Sequence, residues 1–65
     1  MQVFVNQQSC ELEDEATLSD ALLAVAARPP FAAAVNLQFV PKSLYATTRL
    51  AEGDQIEVIA PITGG

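Results

Sequence analysis

Met1, Val3 and Val5 alternate with Gln2, Phe4 and Asn6, and a side-chain period of two marks a strand with one buried face. The polar run Asn6–Ser9 predicts a turn. Cys10 and Leu12 then alternate with Ser9, Glu11 and Glu13 as a second half-buried strand. So short a connection makes the pair an antiparallel hairpin. From Asp14 the period changes to that of a helix, with Thr17 as N-cap and Asp20 three residues later, where its carboxylate can reach back to the cap. Leu18, Leu22, Val25 and Ala26 form the inward stripe. Asp14, Glu15 and Asp20 sit at the positive end of the helix dipole and Arg28 at the negative end. Pro29 and Pro30 cannot continue a helix, which places its expected end at about Arg28.

Residues 31–36 predict an Ala-rich third strand with Val35 in the core, followed by a turn at Asn36 and Leu37. Residues 38–41 predict a short strand closed by Pro41, a residue suited to strand ends. Residues 42–50 show no sustained period and read as turn and loop, and Gly53-Asp54 is a turn signal. The last strand, Gln55–Ala60, turns Ile56, Val58 and Ala60 one way and Gln55, Glu57 and Ile59 the other. The chain contains no internal repeat, low-complexity segment or domain boundary within residues 1–61, and residues 62–65 are expected to form a flexible tail. One helix in such an order packs across one face of a mixed sheet of four to five strands. A hairpin, a crossing helix and a return hairpin bring the first and last strands together in the centre. The expected fold is therefore α+β, of the β-grasp or ubiquitin-like kind. If those strands are neighbours, Phe4 and Ile59 meet on the open face, away from the helix. With Ile62 they form an expected docking patch for a partner.

Composition narrows the function. Sixty-five residues make one small domain, which buries only about 60% of its unfolded surface. With a single cysteine and no histidine, neither an internal disulfide nor a zinc site is expected to hold the fold, so the core must be hydrophobic. Cys10, facing inward beside Leu12, reads as a small core residue, and Glu13–Glu15 as a solvated turn before the helix. Eight acidic residues against three basic ones give a net charge of −5. Arg28, Lys42 and Arg49 are too few to neutralise a phosphate backbone, which argues against nucleic acid and against acidic membranes. A protein partner with a basic docking surface fits better. No stretch approaches the ~20 apolar residues of a membrane span, and the opening MQVFVNQQ lacks the basic and apolar regions of a signal peptide. A cytoplasmic location is expected. The absence of histidine, of a nucleophile–base pair and of a phosphate-binding loop argues against an enzyme.

The chain closes on Ile62-Thr63-Gly64-Gly65. Two glycines carry no side chain to pack but make a narrow, conformationally free end. Together with Asn36, Val40-Pro41-Lys42, Leu50, Gly53-Asp54 and Ile56-Glu57, this ending resembles the ThiS family of thiamine-biosynthesis sulfur carriers, loosely over the whole chain and closely over residues 35–65. Two positions depart from the family's usual spelling: Tyr45 lies four residues after Pro41, and Thr63 precedes the glycines. The resemblance implies that Gly65 is adenylated with ATP by a ThiF/MoeB-like partner enzyme and converted to a thiocarboxylate. A sulfur-donor enzyme such as a cysteine desulfurase or a rhodanese-like protein would supply the sulfur, and thiazole synthase would receive it. Gly64, Thr63 and Ile62 would be recognised as the tail enters its partner. No cofactor is expected on the chain itself, ATP being the partner's. The same chemistry would serve the small subunit of molybdopterin synthase, and the same activated end a ubiquitin-like protein modifier.

Overall fold

The computed structural model describes residues 1–59; Ala60, the expected boundary after residue 61 and the positions Ile62, Thr63, Gly64 and Gly65 lie outside them. The described elements are β1 (Gln2–Val5), β2 (Gln8–Glu11), α1 (Leu18–Ala24), β3 (Ala32–Val35), β4 (Gln38–Val40), a 3-10 turn (Lys42–Leu44) and β5 (Gln55–Ile59). The strands form one mixed sheet in the order β2-β1-β5-β3-β4. β5 runs parallel to β1 and antiparallel to β3, so the last strand occupies the centre. This is the β-grasp topology that the alternation of apolar positions predicts.

The two hairpins share a turn. Residues 5–8 and 35–38 both read Val-Asn-x-Gln, and in each the two central residues carry positive φ: Asn6 50°, Gln7 70°, Asn36 50° and Leu37 69°. Positive φ at both central positions is the mark of the type I′ turn, whose twist matches that of the strands it joins. Asparagine tolerates this region better than most residues. The first turn is thus Asn6-Gln7 alone, tighter than the polar run Asn6–Ser9 suggests, and β2 begins at Gln8.

Alternation then decides what is buried. Val3, Val5, Ala33, Val40 and Ile56 turn to the helix side of the sheet and meet Leu18, Ala21 and Leu22 of α1, with Leu50 closing the cluster. Cys10 and Leu12 are half-buried against it, as the sequence suggests. Among the described residues every buried side-chain polar atom has a hydrogen-bond partner. Among the described residues no helix is long and apolar enough to cross a membrane.

The helix starts as predicted and ends early. Asp20 accepts hydrogen bonds from the Thr17 N–H at 2.9 Å and the Thr17 hydroxyl at 3.2 Å. Its last residue, however, is Ala24. Val25 is the C-cap and Ala26 takes φ 54°. The Ala26 N–H donates to the Leu23 carbonyl and the Ala27 N–H to the Leu22 carbonyl, both at 3.0 Å. This is a Schellman closure with alanine at the position that glycine usually fills. Val25 and Ala26 therefore face solvent rather than the core, and Ala21 fills the stripe. Arg28 lies beyond the helix end. Pro29 and Pro30 do not terminate the helix; the backbone has already turned.

Ala26→Gly should accordingly stabilise the protein by about 0.5–1 kcal/mol, the left-handed cost of a Cβ outweighing the extra freedom of unfolded glycine. A thermal melt would show Tm higher by a few degrees. A lower Tm would mean that the left-handed closure is not adopted in solution.

Candidate functional site

If chemistry is to be delivered by the chain end, β5 is the element that must present it, because Ile59 is followed directly by the six residues that close on Gly64-Gly65. The sheet secures that strand from both sides. On the β3 side the antiparallel ladder covers the last four residues of β5, from Val35 opposite Ile56 to Ala32 opposite Ile59. On the β1 side the parallel register pairs only Phe4 with Gln55 and Val5 with Ile56.

Two asparagines complete the attachment. At the start of β5, the Asn36 Oδ1 accepts from the Gln55 N–H at 3.0 Å, while its Nδ2 donates to Asp54 Oδ1 at 3.0 Å. Asp54 Oδ2 in turn accepts from the Ala51 N–H at 2.8 Å, closing the turn at Gly53, whose φ of 83° suits glycine. The paired appearance of Asn36 and Gly53-Asp54 in the sequence thus has a physical cause: one side chain holds the other's turn. At the far end, Asn6 Oδ1 accepts from the Val58 N–H at 2.9 Å and Asn6 Nδ2 donates to the Val58 carbonyl at 3.4 Å. The sequence reading finds Asn6 only as part of a polar turn. The repeated Val-Asn-x-Gln spelling is the signal that could have singled it out.

The open face of the sheet carries the residues expected to dock a partner. Phe4 and Ile59 do share that face, and their strands are neighbours. They do not form one patch. Phe4 stands opposite Gln55, and Ile59 is four residues farther along, roughly 13 Å at the rise of a strand, with the polar Gln55 and Glu57 between them on that face. Alternation assigns a side chain to a face; it does not set the stagger between strands.

Ile59 instead has Ala32 as its cross-strand partner, and Ala34 stands opposite Phe39 of β4. Ile59 is 57% exposed and Phe39 68%, and only the small Ala32 and Ala34 stand between them. The apolar area is therefore Phe39, Ala34, Ala32 and Ile59, flanked by Glu57. It continues past the start of β3, where a shallow hollow is lined by Pro30, Phe31, Ala32 and Ile59. Phe39 escaped the sequence reading because a strand of three residues is too short for a period to reveal its face.

On the opposite, helix side, an apolar groove of about 440 Å³ lies between the end of α1 and Tyr45, with Lys42 as its one charged lining residue. Phe31 stacks on Tyr45 there, ring centroids 5.9 Å apart and nearly parallel. Among the described residues its titratable lining groups are Lys42 and Tyr45, and no acidic residue lines it. Among the described residues no cluster of histidine, cysteine, aspartate or glutamate is grouped to hold a metal ion. Arg49 pairs with Glu15 at 3.5 Å on the surface, an exposed contact of small energetic weight.

A central strand parallel to β1, antiparallel to β3 and gripped at both ends, with an exposed apolar area beside it, defines a protein of the β-grasp class. The comparison with known families narrows this further. The chain belongs to the ThiS family, whose pattern matches residues 2–65. The crystal structure of thiamine biosynthesis protein ThiS from Geobacter metallireducens superimposes with a TM-score of 0.82 at 17% identity, over 100% of each chain. The solution NMR structure of a thiamine biosynthesis protein from the same organism gives 0.78 at 17% identity, covering 100% of this chain and 88% of that one. At that identity the likeness is one of fold. No curated protein matches the chain.

Proposed function

We propose that this protein is the sulfur carrier for the thiazole ring of thiamine, acted on by partner enzymes rather than catalytic itself. The observation that carries the reading is the family match through residue 65, which includes the Gly64-Gly65 ending. A carboxylate is a poor electrophile, so sulfur can replace one of its oxygens only after activation. In the proposed sequence the Gly65 carboxylate attacks the α-phosphorus of ATP on a ThiF/MoeB-like enzyme, releasing pyrophosphate and leaving an acyl adenylate. The terminal sulfur of a persulfide on a donor such as a cysteine desulfurase or rhodanese-like protein attacks the acyl carbon and displaces AMP, giving an acyl disulfide. An enzyme thiol then attacks the donor's sulfur, forming a new disulfide and releasing the thiocarboxylate, which thiazole synthase consumes. ATP belongs to the activating enzyme. The setting proposed with this reaction is the cytoplasm, a reading supported by its need for ATP.

The need for an oriented carboxylate in a confined site suits Gly64 and Gly65, which have no Cβ to clash with a channel, and makes Thr63 and Ile62 the next residues for a partner to grip. The docking patch expected from sequence, Phe4 with Ile59, is re-centred here on Ile59 and Phe39. An acidic chain of net charge −5 favours a partner whose docking surface is basic around an apolar centre.

Intact mass spectrometry of the protein isolated from its native cells tests the reading. The expected result is a fraction heavier by one sulfur-for-oxygen exchange, located at Gly65, which grows when thiazole synthase is removed. Adducts joined through Gly65 to lysines of other proteins would instead mark a protein modifier. Loss of molybdenum cofactor rather than thiamine in a strain lacking the gene would move the carrier to that pathway.

A further inference from the structure

We infer that Asn6 is a positioning residue for the chain end: its side-chain amide replaces a missing strand and holds the exit of β5 in register. The assignment rests on the carrier reading above and extends it to a residue outside the tail.

Along β1 and into its turn, every second residue bonds to β5 or to the turn before it. The Gly53 N–H donates to the Gln2 carbonyl at 2.8 Å, the Phe4 N–H to the Asp54 carbonyl at 2.9 Å, and the Asn6 N–H to the Ile56 carbonyl at 2.9 Å. The next rung would belong to Val58, but β1 has ended, because the chain turns back at Asn6 with φ 50°. Without further help the Val58 N–H and carbonyl would face solvent on that side, and the last residues of β5 would hang from β3 alone. The Asn6 side chain fills this rung. Its Oδ1 takes the Val58 N–H at 2.9 Å and its Nδ2 reaches the Val58 carbonyl at 3.4 Å. A carboxamide carries the donor and acceptor of a peptide group, so it continues the ladder for one step after the backbone has left it.

Two requirements meet at this position. The turn needs a residue at ease with positive φ, and the strand needs a donor and an acceptor together. Glycine meets only the first, glutamine or leucine neither with ease. Aspartate keeps the conformation and the acceptor but has no donor, and sets a charge against the Val58 carbonyl. Asparagine supplies all of them. Asn36 accepts the Gln55 N–H at the start of β5 from the other side while its amide donates to the Asp54 carboxylate, and of the two asparagines it is Asn6 that bonds at the end leading to Gly65. Holding Val58 keeps Ile59 opposite Ala32 and so fixes the aim of the strand at the root of the tail. A partner that must seat the terminal carboxylate against ATP benefits from that aim, since orientation lost at the root of the tail must be recovered on binding.

The test compares Asn6→Gly, Asn6→Asp and the unaltered full chain with the adenylating enzyme. Hydrogen exchange by NMR reads the clamp directly, and the initial rate of pyrophosphate release as a function of carrier concentration reads KM and kcat. In Asn6→Gly the turn remains permitted, so Tm should move by only a few degrees, while the Val58 amide exchanges about tenfold faster, the scale of one lost hydrogen bond. KM for the carrier should rise about fivefold, with kcat unchanged. Asn6→Asp, with the acceptor retained, should keep Val58 protected and fall between the two in KM. Faster exchange at Val58 in Asn6→Gly with KM at the unaltered value would overturn the positioning role and leave the carrier reading intact. A general rise in exchange with kcat falling alongside would assign Asn6 to overall stability instead, again overturning it. Failure of the unaltered chain to release pyrophosphate with the adenylating enzyme would overturn the carrier reading and this assignment with it.

Discussion

Leu18→Ala is expected to cost about 2–5 kcal/mol, the range for deleting most of a fully buried leucine. Leu18 is completely buried at the first helical position and packs into the cluster that contains Val3, Ile56 and Ala21. Alanine is the best helix former, so the change leaves the helix its propensity and isolates the lost contacts and the cavity. The fold has little reserve to absorb this. At typical values of ~0.05–0.15 kcal/mol per residue, a chain of this size has roughly 3–10 kcal/mol in total, and a single cysteine leaves no internal disulfide to help. Urea denaturation followed by circular dichroism should show the midpoint shifted far down, or a chain largely unfolded at 25 °C. Leu23→Ala on the same helix is the control. Leu23 is 77% exposed and its truncation should change stability by no more than about 0.5 kcal/mol. Comparable losses at the two positions would mean that α1 does not present the face described.

The second large effect concerns association. Ile59→Glu and Phe39→Glu should each weaken the complex with the adenylating enzyme by about tenfold or more, the threshold of a residue central to an interface. Phe4→Glu should weaken it by less than about threefold, because Gln55 and Glu57 separate Phe4 from the apolar area. Both larger effects should appear without loss of fold, since both side chains are more than half exposed. Glutamate also separates the causes. It makes an acidic carrier more acidic, and a basic docking surface would by charge alone bind it faster. A loss of affinity therefore reports the apolar contact. Calorimetry on the purified pair measures it. Equal losses at Phe4 and Ile59 would restore the patch read from the sequence, and unchanged affinity at Ile59 and Phe39 would remove the open face from the docking surface.

The parts legible in the sequence are those whose cause is local. β1 and β5 stand out because each buries one face, and a buried face writes a period of two into any strand. The start of α1 is legible because Thr17 and Asp20 satisfy one another within a single turn. Its end is not, because the residue that reverses the backbone is alanine; nothing in the spelling of Ala24–Ala27 distinguishes the turn from the helix. Pro29 and Pro30 are sound stop signals that stand after the stop. Asn36 and Gly53-Asp54 could be read as a family pattern, but their partnership spans 18 residues of chain and becomes a cause only when the turn and the strand are seen together.

By itself the sequence determined which side chains face in and out along β1, β2 and β5, the mixed sheet with a single helix, and a chain closing on glycines. Each of these is a property of neighbouring residues or of composition. Only the tertiary structure decided that Phe4 stands beside Gln55 rather than Ile59, that Phe39 joins the exposed apolar area, and that Asn6 holds Val58. Those depend on how far one strand slides against another, and that stagger is set by the hydrogen-bond ladder and packing across the whole sheet, which no short stretch of chain encodes.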